Sequence, residues 1–268
     1  NNPARHIGVA SIPLLWDVAQ AVEAVRWCVE NGLRAVMIPT LWGDHPAYHH
    51  TRYDPFWEVC EDLGVIVHFH SGPAPHPEYF GKSWPVEDNS EHLPGAMGVY
   101  VSEVMWWLYR PLTFMIWGGV FERFPRLKAV IVEGGTMFML PPWLRLLDHN
   151  YHDIQFSAKL GDFRAHLTMA PSEYYRRNIA IGASCVPRAD LDMRAVIGPD
   201  QIMWGSDYPH PEGTWPNTAQ YFKATFAGFP EADGRKILGD NAVKFYGLDR
   251  DALQRVANEI GPEPTIFA

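Results

Sequence analysis

Asp54-Pro55-Phe56-Trp57-Glu58-Val59-Cys60-Glu61-Asp62-Leu63-Gly64-Val65-Ile66-Val67-His68-Phe69-His70-Ser71-Gly72 reads as one complete helix-to-strand unit. Pro55 follows Asp54 at a helix start, where a missing N–H costs nothing. Gly64 supplies the left-handed stop. A short apolar strand, Val65 to His70, follows at once. It is rich in Val and Ile without alternation, the pattern of a strand buried on both faces.

The same unit recurs on both sides. Upstream, Asp17 and Gln20 form a capping-box pattern. Val18, Ala21, Val22, Val25, Cys28 and Val29 then recur at helical spacing. Asn31-Gly32 ends that helix, and a strand over 34–38 follows. Downstream, the reading predicts helices over 111–124, 140–153 and 189–197, and strands over 128–133, 179–182 and 202–207. An opening strand covers 7–10, and the remainder is mostly helical. Buried strands alternating with helices imply a parallel sheet and an α/β fold. We read six strands, whereas a closed (β/α)8 TIM barrel has eight. The expectation is therefore a single domain over 1–268 that lacks its first two strand-helix units. The absence of an initiator Met is read as favouring two units upstream of Asn1 over two missed strands. The proline-rich segment 71–98 reads as a rim or lid.

Composition bounds the function. Lys plus Arg total 22 against 31 Asp plus Glu, a net charge of -9. No cationic face is visible, which argues against a nucleic-acid partner. The most apolar run, 105–121, is broken by Arg110 and Pro111, so no membrane span is expected. The 3 cysteines are widely spaced, which predicts no disulfide and a cytoplasmic location. Cys28 and Cys60 read as inert core residues. Eleven Trp and a 13% aromatic share fit either core packing or an aromatic cleft or interface. Met105-Trp106-Trp107-Leu108 reads equally as a helix packed on the barrel or as the interface of a homodimer.

Three strands are apolar until they end in chemistry: His68-Phe69-His70, Val132-Glu133-Gly134-Gly135, and Gly205-Ser206-Asp207-Tyr208-Pro209. Catalytic groups of parallel barrels sit at that end. A buried carboxylate there needs a cation or another partner. His70, nearest the mouth, reads as a metal ligand, with a hydrogen-bonded core histidine as the alternative. His68 lies one layer deeper and reads as structural. Asp207 reads as a ligand that also accepts a proton; a turn aspartate is the alternative. Glu133 reads as a ligand or general base, or as a carboxylate bonded to the Gly-Gly turn. His210 is the best substrate contact among the loop residues His45, His49, His50, Arg52, His76 and His210.

At these residues the chain resembles the amidohydrolase-related family, or amidohydrolase 2. The resemblance is carried by 124–128 leading into 132–135, by 203–213, and by Lys236-Ile237-Leu238-Gly239-Asp240-Asn241-Ala242. It implies a distorted (β/α)8 barrel holding one divalent metal, commonly zinc. His70 matches the mid-barrel histidine ligand, and Asp207 the aspartate after the last strand. Glu133 stands where many members carry a histidine. The family's opening His-x-His pair has no counterpart here. The first expectation is a metal-dependent hydrolase acting on a small carboxylated or cyclic substrate. Alternatives are nonoxidative decarboxylation and a non-catalytic barrel used for binding or assembly.

Overall fold

The computed structural model describes residues 4–71, 96–134, 139–153 and 158–268. Six parallel strands pair in chain order: β1 (Val9–Ser11), β2 (Ala35–Met37), β3 (Ile66–His70), β4 (Ala129–Val132), β5 (Ile179–Ser184) and β6 (Ile202–Gly205). Strands β1 and β6 are its two edges among the described residues.

Strand residues alternate between faces. Val36, Val67, Phe69, Ile131, Ile181 and Ile202 point to the main core, under the helices. Ile66, Val130, Ala180 and Met203 point to the other face and form a second cluster. The register pairs His68 with Met37 and Val130, and His70 with Val132. Both histidines therefore share the face of Ile66.

Helix α1 (Val18–Glu30) starts where Asp17 accepts a hydrogen bond from the Gln20 amide, and it buries Ala21, Val25 and Cys28. Helix α2 (Asp54–Leu63) buries Phe56, Trp57, Val59 and Cys60. Its stop, Gly64, has φ 65°, a conformation that carries little steric cost only without a Cβ. Cys28 and Cys60 are buried free thiols.

Helix α3 (Ala96–Trp117) corrects the sequence reading, which started a helix at Pro111. The proline lies inside it. An interior proline costs about 3 kcal/mol. Leu108, Tyr109, Leu112, Met115 and Ile116 are each at most 1% exposed. At about 1.5–3 kcal/mol per large apolar side chain, their burial outweighs that cost. Trp106, in contrast, is exposed while Leu108 is buried, so one side of 105–108 packs inward. The predicted rim over 71–98 lies mostly outside the described residues, and its last three positions, 96–98, are helical.

The short α4 (Val120–Arg123) leads into β4. Helix α5 (Leu140–His152) and α6 (Pro171–Asn178) precede β5. The helix expected at 189–197 is two pieces, α7 (Arg188–Asp192) and α8 (Arg194–Ile197). After β6 come α9 (Thr218–Phe226), α10 (Glu231–Arg235), a π turn over 236–240, α11 (Asn241–Tyr246) and α12 (Arg250–Ile260).

Helix α11 closes the end of the sheet where the strands begin. Ala242, Phe245 and Tyr246 pack on the second cluster. The Asn241 amide donates to Pro199 O at 2.6 Å and Ile202 O at 2.7 Å. Lys128 Nζ donates to Phe245 O at 3.0 Å. At the opposite end of that face, where the strands finish, lie His70, Glu133 and Asp207.

Candidate metal centre

Residues that leave β4, β5 and β6 share an uncommon backbone. Glu133 has φ 56°, Cys185 φ 49° and Asp207 φ 60°. Non-glycine residues rarely adopt this left-handed region, and such positions collect at functional sites. Ladder bonds hold the first two in place: Glu133 N donates to Gly182 O at 2.8 Å, and Cys185 N to Gly205 O at 3.1 Å.

The loop after β6 folds back on itself. His210 N donates to Asp207 O at 2.8 Å, and Thr214 N to Ser206 O at 2.9 Å. A Cβ on Gly213 would meet Ser206 O at 2.8 Å, so only glycine fits there. The turn puts His210 beside Asp207.

Three of the residues singled out from sequence offer ligand atoms within 4.8 Å of one another: Glu133, Asp207 and His210. The fourth, His70, places Nε2 3.0 Å from Glu133 Oε1. His210 Nδ1 lies 3.5 Å from Asp207 Oδ1 and 3.8 Å from Glu212 Oε1. The Asp207 carboxyl is pushed above the usual carboxylate range, first by burial and then by the charge of Glu133 and a hydrogen bond with it; His210 pulls the other way.

Two features of this cluster fit a divalent cation. First, His70 Nδ1 meets the Ser71 carbonyl, which can only accept. In a neutral ring Nε2 then presents a lone pair toward the Glu133 carboxylate, another acceptor. A cation, or a second ring proton, makes that pair favourable. A histidine that donates its other N–H to a carbonyl is the usual metal-bound arrangement. Second, two carboxylates lie in contact, and positive charge between them removes their repulsion. Imidazole and carboxylate donors suit zinc or manganese.

His68 is placed elsewhere. Its Nδ1 lies 3.2 Å from Ile66 O and 3.3 Å from Val36 O, and its Nε2 2.7 Å from the Tyr246 hydroxyl. Burial lowers its pKa to about 4, so the ring is neutral and faces α11. Of the loop histidines, His49 stacks on Phe114, His45 meets Trp16 edge-on, and His50 accepts from Arg52 N. His76 lies outside the described residues.

Sequence reasoning missed Cys185 and Glu212, which line a cavity with Glu133 and Asp207. Strand β5 was read as ending at Gly182, two residues before its true end at Ser184. Cys185 follows that end directly, as Glu133 follows β4. Applying the strand-end argument one pleat further would have found it.

The amidohydrolase family model matches residues 1–248. The chain belongs to the amidohydrolase family. A curated relative, 2-amino-3-carboxymuconate-6-semialdehyde decarboxylase of Dictyostelium discoideum, is 27% identical over 258 residues, covering 92% of this chain and 63% of its own. Amidohydrolase map2389c from Mycobacterium avium subsp. paratuberculosis K-10 is 26% identical with TM-score 0.70, covering 90% of this chain and 57% of that one. The 5-carboxyvanillate decarboxylase LigW of Sphingomonas paucimobilis is 25% identical with TM-score 0.66, covering 92% and 68%. A dihydroxybenzoic acid decarboxylase from Polaromonas sp. JS666, solved with bound manganese and 2-nitroresorcinol, shares the fold at 23% identity and TM-score 0.67, covering 93% and 71%. The chain thus has the family's barrel fold and spans less than two thirds of the curated relative and of map2389c. Among the described residues no helix is long and apolar enough to cross a membrane.

Proposed function

We propose that the chain carries the metal-dependent site of a nonoxidative decarboxylase for a small cyclic carboxylic acid. The observation that supports this most is the contact among His70, Glu133, Asp207 and His210 at the ends of β3, β4 and β6. His70 and Asp207 would hold the ion, with Glu133 against both. Zinc was the expectation from sequence; manganese is the ion bound in the Polaromonas relative, and both belong in the test. When bound, the divalent ion supplies positive charge for the substrate carboxylate or a neighbouring oxygen.

The chain's own groups then move the proton. The carbon–carbon bond to the carboxylate breaks, carbon dioxide leaves, and the electron pair stays on the ring carbon. With one oxygen toward the ion, Asp207 would carry a proton on the other, beside His210, and deliver it to that carbon. His210 is half-exposed and 3.5 Å from Asp207 Oδ1. It returns a proton from solvent to the carboxylate and contacts the substrate from the loop. Glu133 orients the His70 ring.

Hydrolysis was the first expectation and has the weaker support, because two of the relatives at 25% identity or above are named decarboxylases. Assaying carbon dioxide release on 2,6-dihydroxybenzoate and 5-carboxyvanillate, with zinc or manganese, separates the two. The expected result is one carbon dioxide per substrate consumed and no net water uptake, with Asp207→Asn at least about 100-fold slower. Cleavage with water uptake, or equal rates for Asp207→Asn, would refute the proposal.

A further inference from the structure

Helix α3 has two faces with different surroundings. Met105 and Leu108 turn toward the core, and Met105 also walls the cavity beside Glu133 and Asp207. The other face meets α5 along a groove of about 530 Å³, whose lining includes Glu103, Trp106, Arg110, Trp143 and Leu146. Trp106 is 51% exposed and Leu146 55%. Contiguous exposed apolar surface of this kind marks an interaction site. The groove floor keeps its polar groups to itself. Trp143 Nε1 donates to Thr113 Oγ1 at 2.8 Å, and Thr113 Oγ1 donates to the Tyr109 carbonyl at 2.9 Å. A small-molecule site carries convergent polar groups, whereas here the charges stand apart, one at each end.

Glu103, Trp106, Trp107 and Arg110 follow one another at helical spacing, so they form a single stripe along α3. Both charged ends are exposed. Among the described residues Glu103 makes no ion pair. The Arg110 guanidinium lies over the rings of Trp42 and Phe114, at 5.5 and 5.9 Å, and not against a carboxylate. Acid and base are separated by about 10 Å of helix, and the two tryptophans sit at the midpoint. Turned end over end about that midpoint, the stripe meets its own complement: Glu103 faces Arg110, and Arg110 faces Glu103.

We propose that a second copy of this chain docks in the α3–α5 groove, forming a two-fold dimer in which α3 packs antiparallel to α3 of the partner subunit. A two-fold interface must be complementary to itself. The order acid, tryptophans, base meets that condition in the antiparallel arrangement, whereas parallel packing sets Glu103 against Glu103 and Arg110 against Arg110. Trp106 and Leu146 of each copy enter the groove of the other, giving the interface an aromatic and aliphatic centre. Two Glu103–Arg110 pairs at its rim fix the register and reject the parallel pairing. The two readings of 105–108, packed helix and dimer interface, thus belong to two faces of one helix. The proposal does not draw on the decarboxylase reading.

Sedimentation equilibrium of the full chain tests this, alongside Glu103→Arg, Arg110→Glu, the two combined, and Trp106→Glu. Each substitution occurs twice in a two-fold dimer, so either single charge reversal sets two like-charge pairs across the interface. The unsubstituted chain is expected to dimerise reversibly. Each single reversal raises the dimer Kd at least about tenfold, and the combined variant returns to within about threefold of the original. Trp106→Glu puts charge at the centre of the interface and raises Kd at least about 100-fold. Glu103 and Trp106 are exposed, so their variants keep the core intact whatever Arg110→Glu does to its ring contacts, and circular dichroism confirms the fold of each. A chain that stays monomeric at every concentration would overturn the proposal. So would a dimer whose Kd Glu103→Arg and Trp106→Glu leave unmoved, or a folded combined variant that dimerises no more tightly than the single reversals.

Discussion

His68 and His70 stand two residues apart on one face of β3, yet their surroundings give them different chemistry. His70 reaches the mouth and meets Glu133. His68 is 4% exposed and held between strand carbonyls and Tyr246. With a pKa near 4 in the fold and near 6.5 in the unfolded chain, the unfolded state binds more protons between those values. Stability therefore rises with pH across that window. This contribution is fully present above about pH 6.5 and is lost as pH falls toward 4, at most ~3 kcal/mol. Denaturant unfolding from pH 4 to pH 7 checks this. His68→Phe is expected to flatten the pH dependence by about one proton relative to the unsubstituted chain. Unchanged pH dependence in the variant would contradict the assignment.

Elements are locked together by a few buried amides, and these predict where substitutions hurt. At the junction of α6 and β5, Asn178 Nδ2 donates to Pro125 O at 3.0 Å and Leu127 O at 2.7 Å, ahead of β4. Asn178 is 1% exposed. Asn178→Ala leaves the buried Leu127 carbonyl and the part-buried Pro125 carbonyl without this donor, at a cost of about 2 kcal/mol. Asp17→Ala removes only an exposed cap from α1 and costs about 1 kcal/mol. Chemical unfolding of both variants checks the order, and equal costs would contradict it. The helix starts and stops were legible because Asp17, Pro55 and Gly64 act locally. All six strands were legible from their apolar runs, with ends shifted by a residue or two. Helix α3 was not, because its continuity through Pro111 depends on tertiary burial of Leu108 and Leu112 that no local pattern carries. The split between α7 and α8 at Met193 was not legible either. The placement of His70, Glu133 and Asp207 at strand ends, and of His210 on the loop after β6, was legible, whereas Glu212 joins the cavity only through the turn that Gly213 permits.

Across the whole molecule, the two ends of the sheet's second face do different work. Helix α11 seals the end where the strands begin, with Tyr246 against His68 and Asn241 tied to Ile202. The other end gathers three strand-end residues in left-handed conformations around a cavity of about 380 Å³. Strained residues at the C-terminal ends of parallel strands are where catalytic groups collect. The proposed function stands on the metal centre at that end. The most direct measurement is an anomalous difference map from crystals of the protein soaked in Mn²⁺, collected at the manganese edge. A peak is expected about 2 Å from both His70 Nε2 and an Asp207 carboxylate oxygen. No peak there, or a peak held only by surface carboxylates elsewhere, would contradict it.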